Sequence, residues 1–219
     1  MKKTLTVLLT ALMILALTAC GNKTAQVTET PQTTEQPAAD PETGEKKIAV
    51  IYFSAANNDT VDAVSSATPR VGDVSATEYV ANLIHARVGG DLVRIVPVQA
   101  YPLAYNAAAD QAKQEQNDNA RPTFTLDVDP EDYNVIFIGY PVWWYQLPMI
   151  LDAFFETYDL SGKTIVPFVT HGGSRDSGTY GEIRSYEPNA TVLDGLEVNG
   201  QRTGKADKDV ADWLSKLGY

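Results

Sequence analysis

The run Ile48-Ala49-Val50-Ile51-Tyr52-Phe53 decides the fold. It is almost continuously apolar, which is typical of a strand covered by protein on both faces of its sheet. Further apolar runs follow it and alternate with segments whose apolar residues have helical spacing. This alternation predicts an α/β domain of three layers, built on a doubly wound parallel sheet.

Five strand units can be assigned along this pattern, with a predicted helix after each strand except the fourth. The predicted strands are residues 48–53, 92–96, 135–139, 164–169 and a short fifth at 190–193. The predicted helices are residues 80–88, 105–119, 147–158 and 210–217. Because a dinucleotide-binding fold usually has six strands, five units favour the smaller five-stranded sheet.

Ligands of such sheets bind beyond the carboxyl ends of the strands, so the loops after the first, third and fourth strands are the candidates. The first of these loops begins at Ser54 and runs to about Ala76, and it is rich in Ser, Thr, Asn and Gly. Hydroxyls, backbone N–H groups and a helix N-terminus can together bind a phosphate. A polar loop before a helix is also common without any ligand.

The loop after the third strand, residues 139–148, contains two of the three tryptophans, Trp143 and Trp144, beside Tyr140 and Tyr145. Several aromatic residues at this position favour a stacking surface for a planar ring. The alternative is that these aromatics only pack into the core.

The loop after the fourth strand contains His171-Gly172-Gly173. Paired glycines let backbone amides approach a ligand closely. His171 is more simply interpreted as an ordinary loop histidine than as a catalytic one, and no catalytic residue is predicted.

Composition restricts the possible functions. The 219 residues suffice for one domain, and the net charge of −11 argues against nucleic-acid binding. An acidic surface suits redox partners with positive patches but also serves solubility alone. Since Cys20 is the single cysteine and only His85 and His171 are histidines, we expect no disulfide, iron–sulfur cluster or transition-metal site.

The first residues are typical of an export signal. Met1-Lys2-Lys3 is basic, the apolar segment 5–17 is too short to span a bilayer, and Leu17-Thr18-Ala19-Cys20 resembles a bacterial lipobox. We therefore expect a signal peptide at 1–19, a lipidated Cys20 with a tether at 20–45, and a folded domain at 46–219. The protein would be lipid-anchored on the extracytoplasmic face of the cell membrane. An ordinary secretory signal is the alternative.

From about Lys46 to Trp213 the chain resembles bacterial flavodoxin-like proteins. The resemblance rests on Ile51-Tyr52-Phe53-Ser54, on Tyr101-Pro102 leading to Asn119-Ala120-Arg121-Pro122, on Ile138-Gly139-Tyr140-Pro141-Val142-Trp143-Trp144, and on Leu160-Ser161-Gly162-Lys163-Thr164 before Thr170-His171-Gly172-Gly173-Ser174. It implies a five-stranded parallel sheet in the order 2-1-3-4-5, with flavin mononucleotide (FMN) as the cofactor held by three loops.

The resemblance also implies the binding residues. The phosphate would be bound by Ser54, Ala56, Asn58, Ser75 and Thr77. One side of the flavin ring would be lined by Pro141, Val142, Trp143 and Trp144. The other side would be lined by Thr170, His171, Gly172, Gly173 and Ser174.

The first loop departs from the family pattern, which usually reads hydroxyl-x-Thr-Gly-Asn-Thr. Here a long insertion follows Asn58, and Ser75-Ala76-Thr77 aligns with the usual Gly-Asn-Thr. The insertion either wraps the phosphate from further away or marks weakened or lost FMN binding. The resemblance implies an FMN-dependent electron-transfer protein or small oxidoreductase that serves redox proteins or a small-molecule acceptor. The alternatives are an FMN-dependent quinone or nitro reductase and a flavin-free binding module.

Overall fold

The computed structural model describes residues 46–55, 71, 73–102 and 104–219. The predicted signal peptide, the lipidation site Cys20 and the predicted tether lie outside these residues. So do Ala56 and Asn58 of the predicted phosphate loop.

Strands and helices alternate along the described chain. The strands are β1 (Ile48–Phe53), β2 (Asp91–Pro97), β3 (Phe124–Thr125), β4 (Val135–Pro141), β5 (Thr164–His171), β6 (Thr191–Val192) and β7 (Leu196–Asn199). The α-helices are α1 (Ala76–Val88), α2 (Tyr105–Asn117), α3 (Met149–Thr157), α4 (Thr179–Tyr186) and α5 (Asp207–Leu217). Short 3-10 helices lie at Pro130–Asp132 and Gly200–Lys205.

The strands form one sheet in the order β3-β2-β1-β4-β5-β6. β6 pairs with the first residues of β5, and β7 pairs with its last residues on the same side. All pairings are parallel except that of β2 with β3. Because the four central strands run in the same direction, the carboxyl ends of β1, β4 and β5 meet at one edge. That edge carries the three candidate loops.

Two apolar cores cover the two faces of the sheet. Alternate residues of the strands pack against α2, α3 and α4 on one face, and the remaining ones pack against α1 and α5 on the other. β4 is buried along its whole length, as its continuous apolar sequence predicts. A Cβ on Gly139 would lie 2.0 Å from Cζ of Phe168, so this glycine admits the phenylalanine ring into the core.

The predicted α/β class and the core order 2-1-3-4-5 are confirmed, with β2, β1, β4 and β5 followed by an outer edge. The structure divides that edge between β6 and β7, where the sequence predicted one strand at 190–193. It also adds β3 and α4, which the sequence analysis did not predict. These elements are short, two residues in β3 and eight in α4, and such lengths hold too few apolar repeats for periodicity to detect.

None of the helices in the described part of the chain has the length and apolar content needed to span a bilayer.

Candidate functional site

A pair of buried serine hydroxyls joins the end of β1 to the start of α1. The hydroxyl of Ser54, which directly follows β1, donates to Oγ of Ser75 at 2.9 Å, although 21 positions separate the two residues. Both side chains are buried. The structure thus brings Ser75 to the end of the first strand despite the insertion, as the sequence predicted.

Ser75 is also the N-cap of α1. Its Oγ accepts a hydrogen bond from the backbone N–H of Glu78 at 3.2 Å, which satisfies one of the free donors of the first turn. The Ser75 oxygen therefore accepts two hydrogen bonds, while its own hydroxyl proton has no acceptor among the described residues. A hydroxyl that accepts two bonds is a polarised donor, and this one lies at the positive end of the α1 dipole.

A second pair of hydroxyls joins the first turn of α1 to β5. Oγ1 of Thr77 and Oγ1 of Thr170 are 2.7 Å apart, and both side chains are fully buried. Thr170 is the penultimate residue of β5. We call Ser54, Ser75, Thr77 and Thr170 the hydroxyl cluster, and it connects β1, α1 and β5 at the carboxyl edge of the sheet.

Arg94 of β2 contacts this cluster from the neighbouring strand. Its Nη2 donates to the main-chain oxygen of Ser54 at 2.8 Å. Arg94 was not predicted as a site residue. The signal for it is the single charge inside the otherwise apolar run 92–96.

The loop after β4 forms a tight two-residue hairpin. The N–H of Trp143 donates to the oxygen of Gln146, and the N–H of Gln146 donates to the oxygen of Trp143. The two central residues, Trp144 and Tyr145, have φ values of 47° and 64°. Positive φ at both central positions is the signature of a type I′ turn, which is normally formed by Asn-Gly or Gly-Gly. Two aromatic residues are strained there.

The two adjacent tryptophans have different environments. Trp143 is 1% exposed, and its ring packs edge-to-face against Phe53 and Tyr101 with centroid distances of 5.2 and 5.0 Å. Trp144 is 42% exposed. Of these two tryptophans, Trp143 packs in the core and Trp144 presents its ring to solvent. Stacking of either ring on a ligand stays a prediction.

Pro141 and Val142 also have buried side chains. The backbone N–H of Val142 donates to the oxygen of Thr170 and continues the pairing of β4 with β5 beyond the strand. The side chains of Pro141, Val142 and Trp143 thus support the loop from beneath. Their predicted place beside a flavin ring stays a prediction.

Three residues of α2 fasten the hairpin to the domain. The indole Nε1 of Trp144 donates to the oxygen of Ala109 at 3.0 Å, and the side-chain amide of Gln116 donates to the oxygen of Trp143 at 3.1 Å. Nζ of Lys113 lies 5.4 Å from the ring centroid of Trp144. None of these contacts has a signal in the sequence, because α2 and the hairpin are distant along the chain.

The loop after β5 places His171 beside its own glycines. Nδ1 of His171 accepts a hydrogen bond from the N–H of Gly173 at 3.0 Å, so the neutral ring carries its proton on Nε2. The pKa of His171 is lowered, chiefly by burial and also by the guanidinium of Arg175. The carboxylate of Glu197 opposes this shift but does not reverse it. The histidine is therefore neutral near pH 7.

The remaining predicted residues of this loop, Gly172, Gly173 and Ser174, lie at or near the surface. Gly173 has a φ of 128°, which a residue with a side chain rarely adopts. The loop is tied to β4 through Tyr140, whose hydroxyl donates to Thr179 at 2.9 Å. The structure thus gathers the three predicted loops at one edge, and their role in ligand binding stays a prediction.

Comparison with known proteins assigns the family. The model of the flavodoxin family matches residues 47–217, and the chain belongs to this family. None of the curated proteins is similar enough to this chain to count as a relative.

Three solved structures share the fold. A protein described as a flavoprotein from Bacteroides eggerthii DSM 20697 is 32% identical, with a TM-score of 0.60 over 80% of this chain and 99% of that one. A second, from Bacteroides uniformis ATCC 8492, is 28% identical, with a TM-score of 0.61 over 78% and 98% of the two chains. A flavoprotein from Lactobacillus acidophilus NCFM in complex with FMN is 19% identical, with a TM-score of 0.53 over 78% and 99%, a likeness of fold alone.

Proposed function

We propose that this protein is an FMN-binding electron-transfer protein or small oxidoreductase. Membership of the flavodoxin family and the FMN complex of the Lactobacillus acidophilus flavoprotein support this cofactor. The observation that carries the proposal is the hydroxyl cluster, in which the buried Ser75 hydroxyl proton lies at the N-terminus of α1 without an acceptor among the described residues. A phosphate is the group that such donors bind.

The residues present fit FMN. Ser54, Ser75 and Thr77 would hold the phosphate, because charge-assisted bonds to its oxygens are stronger than the bonds the hydroxyls make to each other. Thr170, which the resemblance placed beside the ring, would join them through its bond to Thr77. Trp144 would supply an aromatic face to the ring, and the backbone of Gly172 and Gly173 would approach it from the other loop. FMN supplies the electron-transfer chemistry when it is bound.

The chain itself would bind and orient the cofactor and exclude water from the site. The buried side chains of Val142 and Trp143 keep water from beneath the hairpin, and the α2 contacts fix the orientation of the Trp144 ring. His171 holds a proton on Nε2 and its Nδ1 fixes the Gly173 amide. The net charge of −11 disfavours an additional negative charge on a bound ligand, which lowers a flavin reduction potential.

The cofactor is tested by purifying the full-length chain and identifying its bound chromophore. We expect flavin absorbance, and FMN as the compound released on denaturation. A chain that carries no flavin and binds neither FMN nor riboflavin on titration would contradict the proposal and favour the flavin-free binding module.

We further propose that the protein is anchored outside the cytoplasmic membrane through Cys20. The basic start, the short apolar segment and the lipobox-like Leu17-Thr18-Ala19-Cys20 support this location. Cys20→Ser should move the protein from the membrane fraction to a soluble or uncleaved form. Unchanged membrane partition of this variant without detergent would reject lipidation as the anchor.

A further inference from the structure

We propose that Arg94 is the cationic residue of the phosphate site: it positions Ser54 and supplies positive charge to the phosphate. This inference rests on the proposed binding of FMN and goes beyond it, because the phosphate-binding residues predicted from the sequence are uncharged.

Arg94 is in direct contact with the backbone of Ser54. Nη2 of Arg94 donates to the main-chain oxygen of Ser54 at 2.8 Å, and 40 positions separate the two residues. Ser54 is fully buried and its hydroxyl is bonded to Ser75. The arginine therefore fixes the backbone of Ser54, the first residue of the hydroxyl cluster. Its guanidinium is in direct contact with that residue.

Arg94 lies on the same face of the sheet as the start of α1. Its neighbours along β2, Val93 and Ile95, are buried in the core on the α2 side. Successive strand residues point to opposite faces, so Arg94 lies on the face covered by α1. That is also the face on which Ser75 and Thr77 begin α1, so the charge and the helix N-terminus share one side of the sheet.

The positive charge of Arg94 favours a phosphate on electrostatic grounds. A phosphate monoester is close to dianionic at neutral pH, and this chain has a net charge of −11. The field of an acidic protein opposes such a ligand, and positive charge near the ligand offsets part of that opposition. A guanidinium stays positively charged while it donates hydrogen bonds to protein groups, so Arg94 adds positive potential beside Ser54.

The test compares FMN with riboflavin, which lacks the phosphate, in fluorescence-quenching titrations of the full-length apoprotein. In Arg94→Gln we expect FMN affinity to fall at least about tenfold, the size of one charge-assisted hydrogen bond, while riboflavin affinity stays within about twofold. Arg94→Lys, which keeps the charge, should recover most of the FMN preference.

The matched control is Arg87→Gln. Arg87 lies in the last turn of α1, at the opposite end of the helix, and its guanidinium contacts the main-chain oxygens of Leu83 and Asp207. This variant loses the same charge far from the cluster, so its affinities for FMN and riboflavin should equal those of the parent. Equal losses of FMN affinity in Arg87→Gln and Arg94→Gln would overturn the proposal, since overall charge would then be the cause.

Two other results would also overturn it. Arg94→Gln that weakens both ligands equally would show a purely structural role, and Arg94→Gln that weakens neither would show no role. Should Arg94→Gln fail to fold, Arg94→Met, which keeps an unbranched side chain without the charge, takes its place. An unchanged ratio of FMN to riboflavin affinity in Arg94→Met overturns the proposal. A parent that binds both flavins equally would refute the phosphate site, and the role of Arg94 with it, but not flavin binding. A parent that binds neither flavin would refute the proposed function.

Discussion

The hydroxyl cluster and the aromatic hairpin lie at the same edge of the sheet but are built in opposite ways. The cluster joins residues from β1, α1 and β5 that are far apart in sequence, and its members are buried and hydrogen-bonded. The hairpin is local, strained at Trp144 and Tyr145, and exposed. The proposed phosphate half of the site is therefore part of the folded core, whereas the proposed ring half is a surface feature held by contacts with α2.

The largest expected effect separates the two tryptophans of the hairpin. Trp143→Ala removes a ring that is 1% exposed, so it should lower the free energy of unfolding by about 3–5 kcal/mol. Trp144→Ala should change stability much less but should weaken FMN binding about tenfold or more, the size of one stacking contact. Urea unfolding and flavin titration of both variants measure the two effects.

Trp143→Phe is the control for this pair. It keeps an aromatic ring and removes the Trp143 Nε1 donor, which is buried without a partner among the described residues. Its loss of stability should therefore be well below that of Trp143→Ala. Similar stability losses in Trp143→Ala and Trp144→Ala would contradict the division between core and surface.

The next effect concerns the hydroxyl cluster. Thr77→Val keeps the shape of the side chain but leaves the buried Thr170 hydroxyl without this partner, which should cost about 1–3 kcal/mol of unfolding free energy. Thr77→Val combined with Thr170→Val should cost less than the sum of the single changes, because the pair is coupled. The ratio of FMN to riboflavin affinity should fall in each variant. Additive stability losses would show that the two hydroxyls do not act as a pair.

The sequence predicted the two halves unequally, for physical reasons. Continuous apolar runs predicted β1, β4 and β5. The alignment of Ser75-Ala76-Thr77 with the family's Gly-Asn-Thr, and not a local pattern, pointed to Ser75 and Thr77, which the structure has at the start of α1. The positive φ of Trp144 and Tyr145 could not be predicted, since local preference disfavours it and the tertiary contacts with Ala109 and Gln116 impose it. The contact of Arg94 with Ser54 depends on strand order, which no local pattern contains.

A smaller effect of opposite sign tests the strain in the hairpin. Tyr145 has a φ of 64° and is 70% exposed. Residues with a side chain meet a cost of about 1–2 kcal/mol in this conformation, and glycine does not. Glycine loses more conformational entropy on folding, which offsets part of that gain. Tyr145→Gly should therefore raise the free energy of unfolding by up to about 1 kcal/mol, measured in urea.

Gln146→Gly is the matched control for Tyr145→Gly. Gln146 is the next residue of the same hairpin and is also exposed, but its φ is not positive. Glycine there should destabilise the protein slightly, because it gains no relief of strain and loses more entropy on folding. If both glycine variants lower stability equally, the turn is not strained at Tyr145.

The smallest effect is the pH dependence contributed by His171 in the loop after β5. Burial lowers its pKa in the folded protein, whereas the unfolded chain keeps a value near 6.5. Between these two values the unfolded state binds more protons, so the stability contributed by the neutral ring is present above pH 6.5 and is lost as the pH falls below it. Protonation of Nδ1 also breaks the hydrogen bond from the Gly173 amide.

His171→Gln isolates this contribution, because its side-chain oxygen can accept the Gly173 amide bond but cannot be protonated in this range. Partly buried carboxyls such as Asp152 and Glu182, whose pKa values are raised by desolvation, contribute with the opposite sign, but they are present in both proteins and cancel in the difference. From pH 7 to pH 5 the parent should therefore lose more unfolding free energy in urea than His171→Gln does. Parallel pH profiles would show that the ring is not held neutral by the fold, and the His-Gly-Gly loop would then resemble the exposed hairpin more than the buried hydroxyl cluster.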